Sequence, residues 1–161
     1  MPSLTAMAES IGDLLKARKE TVAVSESSTG GLIAAALLAV PGASAYFVGG
    51  GVIYTHKARG ALLGIDLDAH PGMRASTEPY AMLCATMIRD RLGTTWGIGE
   101  TGATGPTGNR YGDAAGHSCI AVAGPRTRSM TLETGDPDRE QNMWRFAQEA
   151  LALFEKVLRG S

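Results

Sequence analysis

"TVAVSESSTGGLIAAALL", residues 21–38, decides the fold. Thr21–Val24 is a short β-branched run and reads as a strand, whereas Thr29–Leu38 reads as a mostly buried helix. Between them, "SESSTGG" (25–31) packs four hydroxyls, one carboxylate and two glycines into the junction. A strand–turn–helix junction aims unpaired backbone N–H groups and the positive end of the helix dipole at whatever lies there. Gly30 and Gly31 would let a ligand approach closely. On these residues alone two readings stay open. The turn binds an anion or a developing oxyanion, or else Ser27 or Ser28 caps the helix and the glycines pack.

The same alternation runs through the chain. Residues 3–18 read as a helix capped by Ser3, with Leu4, Met7, Ile11, Leu14 and Leu15 at helical spacing. Tyr46–Thr55 is a second strand carrying three consecutive glycines, and a short helix around 56–64 follows. Ser76 is the expected cap of a helix over 77–92, with Pro79 tolerated in its first turn. Thr95–Glu100, His117–Ala123 and Ser129–Thr134 read as strands, and 138–158 as the last helix. Short apolar strands alternating with helices predict a layered α/β domain, the terminal strands being candidates for an antiparallel edge.

The 161 residues suit one domain that buries roughly two-thirds of its unfolded surface. The formal net charge of −1 and the absence of like-charge blocks argue against a nucleic-acid or anionic-membrane partner. The longest apolar run, Leu32–Val40, is too short to span a bilayer, and the N-terminus does not read as a secretion signal. Cys84 and Cys119 sit in apolar segments without a CxxC, which fits buried thiols in a reducing cytoplasm. His56, His70 and His117 are scattered, so no metal site is expected.

Three further stretches carry candidate chemistry. "GIGETG" (97–102) matches GxGxxG but opens into "ATGPTGNRYG", which cannot begin the helix that a dinucleotide fingerprint requires. The loop "TGATGPTG" (101–108) can bring backbone amides and the Thr101 and Thr104 hydroxyls to one point. Leaving a strand end, it is expected to face the crevice of residues 25–31, or else to be disordered. In "YTHKARGALLG" (54–64), Tyr54 ends a strand with cations behind it, an arrangement suited to a phenol acting as a base. The competing reading is an exposed basic helical turn.

Together these stretches resemble the C-terminal domain of the competence-damage-inducible protein A (CinA) family, the nicotinamide-nucleotide amidohydrolases. "SESSTGGL" (25–32) is similar to the family's AESCTGGL. "VPGASAYFVGGGVIYTHKARGALLG" (40–64) resembles its VPGAS…GG…YSNEAK..LLG pattern, and "GATGPTGN" (102–109) its GIAGPxGG. "AGHSCIAVAGP" (115–125) and "TGDPDR" (134–139) resemble VGTVYIAVA and SGDR, so the likeness runs in one order from about residue 5 to 155.

The resemblance implies a single three-layer α/β/α domain over 1–161 with a mostly parallel sheet. It implies an enzyme that deamidates nicotinamide mononucleotide, or a closely similar small amide, without metal or cofactor. Its partner is a small-molecule pyridine nucleotide, and a homo-oligomer in the cytoplasm is expected. The family's serine nucleophile falls on Ser27 and its catalytic Tyr on Tyr54. The family's Lys, five residues later, falls on Arg59, which offers a fixed charge and cannot act as a base. Ser28, Thr29, Gly30 and Gly31, the loop Thr101, Gly102, Ala103, Thr104 and Gly105, and Arg139 are the expected substrate contacts, with Arg110 as an alternative phosphate holder. Because of Arg59, a nucleotide-binding module that has lost hydrolysis is the alternative to an active amidohydrolase.

Overall fold

Ser3 Oγ accepts the Ala6 N–H at 3.1 Å and starts helix α1 (Leu4–Arg18) in the computed structural model, which describes residues 3–160. Its buried residues Leu4, Ala8, Ile11 and Leu15 recur at three- and four-residue spacing and make one apolar stripe. The strands are β1 (Val22–Glu26), β2 (Phe47–Val52), β3 (Trp96–Ala103), β4 (His117–Ala123) and β5 (Arg128–Glu133). The longer helices are α2 (Leu32–Leu38), α4 (Glu78–Leu92) and α5 (Arg139–Leu158). The short α3 (His56–Ala58) runs on into a π-helical turn, Arg59–Leu63.

The sheet order is β2-β1-β3-β4-β5. β1 pairs in parallel with both neighbours, whereas β3–β4 and β4–β5 are antiparallel. The sheet is therefore mixed: the antiparallel edge is present, and the expectation of a mostly parallel sheet holds only for β2, β1 and β3. Val24, Ile98 and Ile120 face α1, α2 and α5 in the larger core, while Ala23, Cys119 and Ala121 face α4. Helices on both faces make the three layers.

"GIGETG" now has a physical explanation. A Cβ at Gly97 or Gly99 would lie 2.1 Å from the carbonyl oxygen of Ala85 or Ala81, so glycine lets α4 lie directly on β3.

Several boundaries differ from expectation: β1 runs on to Glu26, taking Ser25 and Glu26 out of the turn, and β2 stops at Val52 rather than Thr55. Thr77, not Ser76, caps α4, its Oγ1 accepting the Tyr80 N–H at 3.3 Å. β3 runs on through Thr101–Ala103, because those residues find partners in Cys119, Ser118 and His117 of β4. Helix α2 begins at Leu32 rather than Thr29, and residues 27–31 are a turn with its own hydrogen-bond network.

Candidate active site

Strand alternation decides where the junction's side chains go. The parallel register sets Ser25 opposite Gly99, so the next residues, Glu26 and Glu100, stand side by side. Val24 and Ile98 two residues earlier face the α2 layer, and both carboxyls point that way too, under the start of α2. Ser27 takes the opposite side and lines a cleft.

Both glutamates are buried, and both serve the turn. Glu26 Oε1 accepts the N–H groups of Gly31 (3.2 Å) and Ile33 (2.9 Å), and its Oε2 accepts that of Ala34 (2.8 Å). Glu100 Oε1 accepts the N–H groups of Ser27 and Thr29, each at 2.9 Å. Ser28 Oγ bonds to Glu100 Oε2, and Thr29 Oγ1 lies 2.7 Å from Glu26 Oε1 and 2.8 Å from Glu100 Oε1. Two carboxyl groups therefore cap the α2 end and fix the backbone on both sides of Ser27.

This corrects two expectations. The α2 N-terminus is already occupied by Glu26 and does not present a free cluster of donors to a ligand. The Ser28 and Thr29 side chains, and Gly30 and Gly31, lie behind the turn instead of on the cleft that Ser27 lines: the two hydroxyls face carboxyl oxygens, Gly30 abuts Met143, and Gly31 lies against Val52. With Gly30 N–H bonded to Ser27 O, Ser28 N–H is the one turn amide from 27 to 31 without an acceptor among the described residues.

The cleft holds about 470 Å³ and is walled by Ser27, Tyr54, His56, Arg59, Ser76, Tyr80, Thr101, Gly102 and the 109–111 loop. A smaller lobe of about 270 Å³ adjoins it, sharing Tyr54, Gly102 and Asn109 and adding Ala103, Thr104, Gly105 and Arg139. The structure thus brings Ser27, Tyr54, Arg59, Thr101 and Gly102 into one cavity, with Ala103–Gly105 and Arg139 next door. It lies beyond the carboxyl ends of β1 and β3, the usual ligand position in open α/β sheets.

Tyr54 is 60% exposed, and the cation at its hydroxyl is Arg139, whose Nη2 donates to it at 3.1 Å while Nη1 donates to Gly105 O at 2.6 Å. Arg59 is not that cation. It is only 8% exposed, with its guanidinium carbon 5.6 Å from the ring centre of Tyr80, and no carboxylate lies within ion-pair distance among the described residues. A buried, unpaired guanidinium on a cleft wall is a strong anion attractor. Burial pushes the neighbouring Tyr80 phenol up to about 12, and the Cys84 thiol up to about 11, so neither competes as base or nucleophile.

Arg110, the alternative phosphate holder, does reach the cleft, whereas His56, Tyr111, Arg74 and Ser76 escaped the sequence reading as site residues. Arg110 Nη2 lies 2.9 Å from His56 Nε2 and donates to Tyr111 OH at 3.0 Å, adding an exposed cation to the mouth. Arg74 and Arg110 both lie over the Tyr111 ring, at 4.8 and 5.1 Å. Ser76 has a left-handed φ of 61°, donates its N–H to Thr101 Oγ1 at 3.1 Å, and exposes its carbonyl to His117 Nε2 at 2.8 Å. The carboxylate inside "SESSTGG" was the visible signal for Glu26. Nothing local marks Glu100, which acts across 73 residues.

The family model for the CinA C-terminal domain matches residues 4–158. The chain belongs to that family. A CinA-like protein of Prochlorococcus marinus (strain MIT 9313) is 44% identical over 119 residues, 74% of this chain and 28% of that protein. One from Chlorobium limicola (strain DSM 245) is 36% identical over 152 residues, 91% of this chain and 35% of that protein. The chain thus spans about a third of the length of these curated relatives. The crystal structure of a CinA superfamily protein from Klebsiella pneumoniae superposes with a TM-score of 0.92 at 23% identity, covering 99% of this chain and all of that one. A competence/damage-inducible protein of Agrobacterium tumefaciens gives 0.89 at 25% identity, covering 99% and 98%. The CinA fold is shared in full. Among the described residues no helix is long and apolar enough to cross a membrane, and no group of three or more His, Cys, Asp or Glu is placed to hold a metal ion.

Proposed function

We propose that this CinA-family domain is an amidohydrolase that deamidates nicotinamide mononucleotide, or a closely similar anionic amide, to the acid and ammonia. The observation that carries the reading is Ser27, held by a carboxyl-pinned turn on the wall of a cleft of about 470 Å³ ringed by Tyr54, His56, Arg59 and Arg110. Ser27 Oγ attacks the carboxamide carbon, and Tyr54 takes its proton and passes it to the departing ammonia. Water then cleaves the acyl-serine ester. Ser28 N–H, the residue after the nucleophile, is the turn amide left to meet the oxyanion, and the unpaired Arg59 charge faces the same cavity. Arg110 at the mouth and Arg139 in the adjoining lobe suit the phosphate.

One observation favours a second reading, a nucleotide-binding module without turnover: Arg59 stands over Tyr80, and the cation at the Tyr54 hydroxyl is the Arg139 guanidinium, which offers a fixed charge and no proton relay. Ammonia release from nicotinamide mononucleotide, paired with calorimetric binding, separates the two. Turnover abolished by Ser27→Ala supports the enzyme. Binding without ammonia supports the module.

A further inference from the structure

The Glu26–Glu100 pair has a proton to account for. Four carboxyl oxygens meet under the turn, and three of them face backbone N–H groups, which can only donate: Glu26 Oε1 and Oε2, and Glu100 Oε1. The fourth, Glu100 Oε2, faces the Ser28 hydroxyl, which can donate or accept. Between the carboxyls stands Thr29 Oγ1, with one hydrogen for two oxygens at 2.7 and 2.8 Å. No Lys, Arg or His lies within ion-pair distance of either glutamate among the described residues. Two ionised carboxylates bridged through one hydroxyl, buried and without a cation, repel strongly.

We propose that Glu100 is a neutral carboxylic acid in the resting protein at neutral pH, with its proton on Oε2 against Ser28 Oγ, and that it positions Ser27 in this form. Glu26, with N–H donors on both of its oxygens, is the carboxylate of the pair and faces the start of α2. Thr29 then donates to Glu26, and its second contact is with an uncharged carbonyl oxygen.

Burial pushes the Glu100 carboxyl upward, in keeping with this assignment. The titratable groups that face it are Glu26 across Thr29, from β1, and Cys84 from α4, and neither supplies a positive charge. The consequence for catalysis rests on the reading of Ser27 as nucleophile. An ionised Glu100 would place a full negative charge behind the Ser27 backbone and oppose an oxyanion on the cleft side, whereas the neutral acid holds the same backbone without that penalty. Glu100 is a positioning residue, acting through the turn.

The test needs no substrate. Infrared spectra of the native protein at pH 7 should contain a protonated-carboxyl C=O band that vanishes in Glu100→Gln and on unfolding. The amide is a close mimic, its oxygen accepting the Ser27 and Thr29 N–H groups and its NH₂ facing Ser28 Oγ, so the variant should fold. Absence of the band in the native protein overturns the proposal even if the variant fails to fold, and so does its persistence in a folded Glu100→Gln. A second arm uses ammonia release from nicotinamide mononucleotide: kcat/KM of the native protein should lose an alkaline limb in Glu100→Gln, and an unchanged alkaline limb in that variant overturns the proposal. If no turnover is found at all, the amidohydrolase reading fails while the infrared result still decides the proton.

Discussion

At the scale of single residues, the chemistry turns on which hydroxyl is free. Ser28 and Thr29 face carboxyl oxygens, whereas Ser27 bonds through its backbone and leaves its side chain to the cleft. If Ser27 is the nucleophile, Ser27→Ala should lower kcat on nicotinamide mononucleotide by about 10³-fold or more, with Ser25→Ala costing far less. Equal losses at both, in folded protein, would make this a binding loop. Tyr54→Phe tests the base separately and should cost about 10²–10⁴-fold in kcat with little change in KM. Arg139→Ala, which removes the donor to Tyr54 and a cation from the adjoining lobe, should instead act largely on KM.

At the scale of elements, glycines in β3 and a histidine in β4 set how the walls of the cleft pack. Gly99→Ala drives a methyl into the Ala81 carbonyl and should destabilise by about 1–3 kcal/mol or more, read from the denaturant midpoint. Gly60→Ala, with nothing within 4 Å of the added carbon, is the control and should stay within about 0.5 kcal/mol.

His117 ties three segments together: Nδ1 lies 2.5 Å from Glu133 Oε1, Nε2 is 2.8 Å from Ser76 O, and Asp113 is 3.7 Å away. A carbonyl and a carboxylate both need a donor, so the ring holds both protons. Desolvation alone would lower the imidazole, but the bonds to Glu133 and Ser76 and the Asp113 charge outweigh it and raise it. A raised folded value means stability that is complete below the unfolded value of about 6.5 and lost as the pH rises through the folded one. The thermal stability of the native protein should therefore fall relative to His117→Gln over that window. Parallel curves would contradict the doubly protonated ring.

The elements themselves were legible, since helical and alternating periodicity is local. Their ends were not. Thr101–Ala103 is rich in small residues and reads as loop until β4 supplies partners, and Ser76 resembles a cap until Thr101 claims its N–H. The candidate site divides on the same line. Ser27, Tyr54 and Arg59 were visible in their stretches, whereas the Glu100 contacts with the turn, and Arg139 standing in Arg59's expected place at Tyr54, depend on long-range folding.

At the scale of the whole molecule, the domain places a small-residue turn, an exposed phenol and three arginines around one crevice at the carboxyl ends of its parallel strands. This domain spans about a third of the length of the curated CinA-like proteins it matches. The deciding measurement is the time course of ammonia and nicotinate mononucleotide formation from nicotinamide mononucleotide by the purified protein, with Ser27→Ala alongside. The native chain should form the two products in equal amounts, and the folded variant none above background. Equal rates from both proteins, or tight binding of the nucleotide with no product, would contradict the amidohydrolase reading.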